Sequence, residues 1–194
     1  MRSVATGRME TLVKASVYAS VDEVPAYAWK TPLQRSIQLL KRHRDVMFCE
    51  QQEIKPISMI LTTLAARAYD GEEDLAEAIE NILNRTPSWV NTKCPRVENP
   101  INPAEDFADK WQQNEQLEKS FWQWHTQAKA DFRNLTEIRT ANQLQEFVER
   151  KFRTQLSHQC AQESLEQRSA GLGAEIVAPT VFINSGPKPW SGDG

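Results

Sequence analysis

Residues 31–48, TPLQRSIQLLKRHRDVMF, decide how the rest of this chain is read. Thr31 offers a side-chain acceptor to the free N–H groups of a helix start. Pro32 suits the first helical position, where the missing N–H would have no partner anyway. Leu33, Ile37, Leu40 and Met47 follow at spacings of four, three and seven, which lays one apolar stripe along a helix. The helix ends in a basic run, Lys41-Arg42-His43-Arg44. Arg44 stands four residues after Leu40 and seven after Ile37, inside the stripe rather than opposite it. A cation there needs an anion or must snorkel to water, and Asp45, Asp106 and Asp109 are the intramolecular partners on offer. Lys41 borders the same stripe, whereas Arg35 and Arg42 share a different, solvated face.

Working outward, a polar loop leads to Pro56, where a second helix is expected to open. Ile57, Ile60, Leu61, Leu64, Ala65 and Ala68 recur at three- and four-residue steps and must face a core. Gly71 breaks that helix. The acidic run Asp70-Gly71-Glu72-Glu73-Asp74 then reads as a turn with carboxylates favoured at the next N-terminus. A third helix is expected over residues 74–84, with Leu75, Ala78, Ile79 and Ile82 on one face. Residues 85–105 form a loop punctuated by Pro87, Pro95, Pro100 and Pro103. Beyond it, residues 104–111, 117–132 and 141–167 read as helices. Upstream, residues 8–19 read as a short helix ended by Pro25. The segment from Gly171 onward is extended and rich in Gly, Pro and Ser.

The whole chain agrees with this local reading. Its 194 residues suit one domain with at most a small appendage, and six tryptophans require burial. With only 7 glycines and abundant Ala, Leu, Gln and Glu, the expected class is mainly α, a helical bundle. A net charge of −3 argues against a protein that coats nucleic acid, and no direct nucleic-acid signal is seen. No apolar run reaches the roughly 18 residues of a membrane helix. The charged N-terminus lacks the apolar core of a secretory signal, so a cytoplasmic location is expected. Three well-separated cysteines, Cys49, Cys94 and Cys160, do not make a disulfide framework.

Two constellations can carry chemistry. One is Lys41 with Arg44 on the first helix. The other is Lys55-Pro56-Ile57-Ser58, where Ser58 falls in the first turn of the second helix and Lys55 takes the capping position without being able to accept a hydrogen bond. An anion can fill that role, because helix N-termini bind phosphate through their N–H groups and dipole; water at an exposed helix end is the plain alternative. His43, His125 and His158 lack metal-ligand spacing, and neither a P-loop nor a dinucleotide fingerprint is present.

Three blocks taken in order, KTPLQRSIQLLKRHRDVMF, KPISMILTTLAARAYDGEEDL and NPINPAEDFADKW, resemble the C-terminal helical half of bacterial CD-NTases. These nucleotidyltransferases, related to cyclic GMP–AMP synthase and oligoadenylate synthase, make cyclic oligonucleotide messengers in CBASS anti-phage systems. The resemblance covers roughly residues 24–132, and the PKPW tail also looks like the family. It implies three parts: residues 1–24 as a partly helical N-terminal remnant, 25–168 as a helical nucleotide-binding-type domain, and 169–194 as an extended tail. It further implies that Lys41 and Ser58 contact nucleotide phosphates, with Lys55, Met59 and Arg44 as additional contacts. Met59 falls where relatives often place a base-stacking aromatic. Residues 99–107 match a family strap with Asn99 in place of the usual aspartate.

In the complete family enzyme a preceding α/β domain holds two Mg²⁺ ions beside ATP or GTP through a Gly-Ser pair and acidic residues. No Gly-Ser pair occurs in these residues. The expectation is therefore a truncated or split C-terminal portion that binds nucleoside triphosphates but holds no metal, has no catalytic residue and is inactive alone. Its expected partner is a separately encoded or missing N-terminal catalytic domain. The rival reading is a helical protein-interaction module that does not bind nucleotide.

Overall fold

The computed structural model describes residues 30–169. Among them run six helices and no extended strand: α1 (Pro32–Met47), α2 (Ser58–Ala68), α3 (Leu75–Arg85), α4 (Glu115–Glu137), α5 (Ala141–Phe152) and α6 (His158–Ser169). The mainly α, bundle-like class is as the composition suggests. The expected helix at residues 8–19 and the tail beyond Gly171 lie outside the described residues.

Local chemistry starts most of these helices. Thr31 caps α1 by accepting from the Gln34 N–H, while the Gln34 side chain accepts from the Thr31 N–H, a reciprocal capping box. Asp74 caps α3 by accepting from the Glu77 N–H at 2.8 Å, Asn114 caps α4 and Thr140 caps α5. Gly71, at φ +92°, supplies the left-handed residue that turns the chain between α2 and α3.

The apolar stripes meet where their periodicity directs them. Leu40 of α1, Ile60, Leu61 and Leu64 of α2, Ile79, Ile82 and Leu83 of α3 and Phe121 and Trp124 of α4 form one core. Leu144, Leu156 and Ala161 form a small satellite under α5 and α6. Helix α1 is the hub, packing against α2, α3, α4 and α5. Hence its polar side chains are pulled inward on two sides.

Four sequence expectations need correction. Helix α2 begins at Ser58, not Pro56, because the Pro56 carbonyl is turned to the Arg44 guanidinium and Ile57 stays extended at the N-cap. Residues 104–108 are not helical. The Asp106 carboxylate instead folds back to accept from the Arg96, Val97 and Ala108 N–H groups at 2.7–2.9 Å, leaving only a short 3-10 turn at Asp109–Gln112. The stretch expected as one helix over 141–167 is two, α5 and α6, because Arg153 adopts a left-handed conformation at φ 47°. Arg42, expected to be simply solvated, stabilises that break: its Nε donates to the Phe152 carbonyl at 2.8 Å and its Nη2 to the Arg153 carbonyl at 3.3 Å.

The other inward side of α1 holds a buried polar network. His43 Nε2 donates to Asp131 Oδ2 of α4 at 3.0 Å, and Lys151 Nζ of α5 reaches the same oxygen at 2.7 Å. Gln127 donates to it as well. Burial would push the Asp131 carboxyl up, but these three donors outweigh it and hold it below its ordinary value. Burial keeps His43 below the usual imidazole value in spite of Asp131, and its Nδ1 is buried without a partner. His125, hydrogen-bonded to the Leu83 carbonyl, is likewise lowered by burial. Both rings therefore fold neutral. The unfolded chain takes up these protons near the ordinary imidazole value of 6.5 while the folded chain resists them to lower pH. Stability from both is complete above that value and lost as pH falls through it. Thermal melting followed by circular dichroism is expected to be flat above about pH 7 and to drop steadily below about pH 6.5.

Candidate functional site

At the last turns of α1, Lys41, Arg44 and Asp45 lie one turn apart on the same side of the helix. Arg44 is the organising group: it is the charge that the sequence places inside the apolar stripe, and its side chain is 5% exposed. Its Nη1 donates to the Pro56 carbonyl and to Ser58 Oγ, each at 3.0 Å, which staples the end of α1 to the start of α2. Its Nε and Nη2 both donate to Asp45 Oδ1, at 3.1 and 2.6 Å. Lys55 Nζ approaches that same oxygen at 3.4 Å.

Of the residues singled out in the sequence, Arg44, Lys55 and Ser58 are thus brought into one cluster. Lys41 lies one turn earlier on α1, half-buried, with no hydrogen-bond or ion-pair partner among the described residues. Met59 is 52% exposed beside Ser58, next to the equally exposed Ile57. The internal ion pair expected for Arg44 is present, and of the three carboxylates on offer Asp45 is the partner.

The start of α2 is electrostatically unusual. Its N-cap residue, Ile57, provides no side-chain acceptor, so the first N–H groups have no cap from the preceding residue. The positive end of the helix dipole, the Arg44 guanidinium and the Lys55 ammonium converge there, and the local field favours an anion. Ser58 Oγ accepts from Arg44, which leaves its own hydroxyl proton free to be donated outward.

The proline-rich segment lies elsewhere. Val97 is fully buried, and Asn99 N–H donates to the Glu105 carbonyl and Phe107 N–H to the Val97 carbonyl, closing a small hairpin. Arg67, in the last turn of α2, donates to the Glu98 carbonyl at 3.0 Å. The strap is therefore tied to the end of α2 opposite Ser58. Sequence reasoning did not find the network of His43, Asp131 and Lys151. Its only signal was a lone histidine in a helical stripe, and its partners are 88 or more positions away.

The described residues do not offer a divalent cation a cage. No three His, Cys, Asp or Glu side chains gather among them, and Asp45 is committed to Arg44 and Lys55. No described helix is long and apolar enough to cross a membrane.

No protein-family profile matches the chain. Two curated proteins are similar to it. A c-di-GMP synthase from Roseivirga ehrenbergii is 38% identical over 115 residues, 57% of this chain and 31% of the relative. The cyclic dinucleotide synthase CdnG from Bradyrhizobium diazoefficiens is 26% identical over 169 residues, 81% of this chain and 39% of the relative. The chain thus spans about a third of the length of the curated relatives it matches. Over the stretch it shares with them, this chain is similar to two proteins named as synthases of cyclic dinucleotides.

Proposed function

We propose that the end of α1 and the start of α2 form a triphosphate-contacting wall of a cyclic-oligonucleotide synthase acting in anti-phage defence. The observation that carries this reading is the convergence of Arg44, Lys55 and Ser58 on the start of α2, with Lys41, which has no partner among the described residues, one turn away. In this reading Lys41 and the α2 N–H groups meet phosphate oxygens, and the Ser58 hydroxyl donates a further hydrogen bond. Arg44 holds Ser58 in place through Nη1 and, together with Lys55, offers its remaining donors to a phosphate oxygen. The exposed Met59 lies where a base would rest against it. Nucleotidyl transfer additionally needs Mg²⁺, which activates the attacking hydroxyl and stabilises the triphosphate leaving group. Carboxylates for it would come from outside these residues, from a preceding segment or a separate catalytic subunit docked on this wall.

The two curated relatives support the nucleotide class, since their names describe synthases of cyclic dinucleotides. Isothermal titration of the chain with ATP is expected to show binding that Lys41→Ala weakens about tenfold and that high salt weakens further. Absence of heat at millimolar ATP would favour the interaction-module reading instead. The chain alone, given ATP, GTP and Mg²⁺, is expected to make no cyclic product.

A further inference from the structure

Asp45 is the one acid in the cluster, and its position is specific. Three donor atoms on two cations, Nε and Nη2 of Arg44 and Nζ of Lys55, surround a single carboxylate oxygen, Oδ1. The two ends of this pair differ sharply in exposure: the Arg44 side chain is 5% exposed, whereas that of Asp45 is 43% exposed. The buried cation is held from behind by the Pro56 carbonyl and Ser58 Oγ, and the carboxylate covers its solvent side. An oxygen bearing negative charge, cradled by a guanidinium and an ammonium, has the charge and donor environment of a non-bridging phosphoryl oxygen.

We propose that Asp45 is a built-in competitor for the triphosphate: its carboxylate holds the anion position in the free protein and must swing away before a phosphate oxygen can take Arg44 and Lys55. The inference rests on the phosphate-binding reading of this same cluster and adds regulation to it. The physical reason for such a device is twofold. Without an acid, Arg44 would be a nearly buried charge with only neutral acceptors, which is costly. With Asp45 present, the protein is stable unliganded, and ligand affinity is reduced by the work of displacing the carboxylate and by its repulsion of the incoming anion. Because Asp45 is half-exposed, it can turn to water at low cost, whereas Arg44 cannot.

The test uses the full chain and inorganic tripolyphosphate, followed by titration calorimetry and by thermal shift. Asp45→Asn keeps an oxygen acceptor for Arg44 and removes the charge. It is expected to bind tripolyphosphate roughly tenfold tighter than the unaltered chain. It is also expected to melt lower without the anion and to gain more in melting temperature when the anion is added. Asp45→Ser, which keeps a hydroxyl acceptor, carries the same expectation should the asparagine variant fold poorly. Equal or weaker binding by the variants, with the unaltered chain binding normally, would overturn the competitor role and leave the phosphate site standing. Binding by none of the three at millimolar tripolyphosphate would overturn the phosphate-binding reading and this inference with it.

Discussion

Asp131→Ala is expected to cost about 1–3 kcal/mol of folding free energy, the range for leaving a buried polar group without its hydrogen-bond partner. The Asp131 side chain is 5% exposed, and one of its oxygens accepts from His43, Lys151 and Gln127 at once. Gln127 is exposed and Lys151 partly so, and both can turn to water. His43 cannot. It is enclosed by Phe132 and Phe152, and its Nδ1 already lacks a partner, so the variant would leave both ring nitrogens buried without one. Asp131→Asn retains an acceptor oxygen for His43 and should fall in between. Urea denaturation checks both variants. A midpoint for Asp131→Ala within error of the unaltered protein would mean that the network carries no stability. The effect should reach the candidate site, because His43 and Arg44 are consecutive on α1. The network around His43 and the contacts of Arg44 with Pro56 and Ser58 thus act on adjacent residues of α1.

Phe121→Ala is the second large effect, expected at about 3–5 kcal/mol for emptying an aromatic position in a packed core. Phe121 is completely buried in the middle of an aromatic cluster. Its ring centroid lies 5.0 Å from that of Trp122, 5.3 Å from Trp111 and 5.9 Å from Trp124, with His125 at 6.4 Å. These groups belong to α4 and to the turn Asp109–Gln112 that closes the proline-rich loop. Removing the ring deletes the contact that holds the loop's end to α4, and the rigid tryptophans around it cannot collapse fully into the space. As a control, Ile101→Ala should change stability by no more than a few tenths of a kcal/mol, since Ile101 is 92% exposed on the strap. Comparable losses from both variants would show that the aromatic cluster is not the core it is taken to be.

The sequence was most legible where structure is determined locally. Thr31 and Pro32 start α1, Asp74 starts α3 and Gly71 separates α2 from α3 through interactions spanning three or four residues, and each is visible as a short pattern. What escaped was decided by distant partners. The start of α2 moved to Ser58 because Arg44 claims the Pro56 carbonyl across 12 positions. The break between α5 and α6 falls at an arginine, not a glycine, and its exposed carbonyls are met by Arg42 from 110 positions away. Residues 104–108 carry helix-forming types, yet Asp106 serves better by tying off the loop at Val97. Within the candidate site, burial of Arg44 was readable from its place in the apolar stripe, and Asp45 was among the partners considered. That Asp45 would also gather Lys55 was not readable, since it depends on how the loop between α1 and α2 folds back.

The central claim, that a nucleotide's triphosphate lies against the start of α2 beside α1, is tested most directly by adding ATP to isotopically labelled chain and mapping the amide signals that move. The account predicts a saturable shift concentrated on Ser58, Met59 and Ile60 and on the α1 turn from Lys41 to Asp45. Signals that stay still at those positions, or that move instead along α5 and α6, would contradict it.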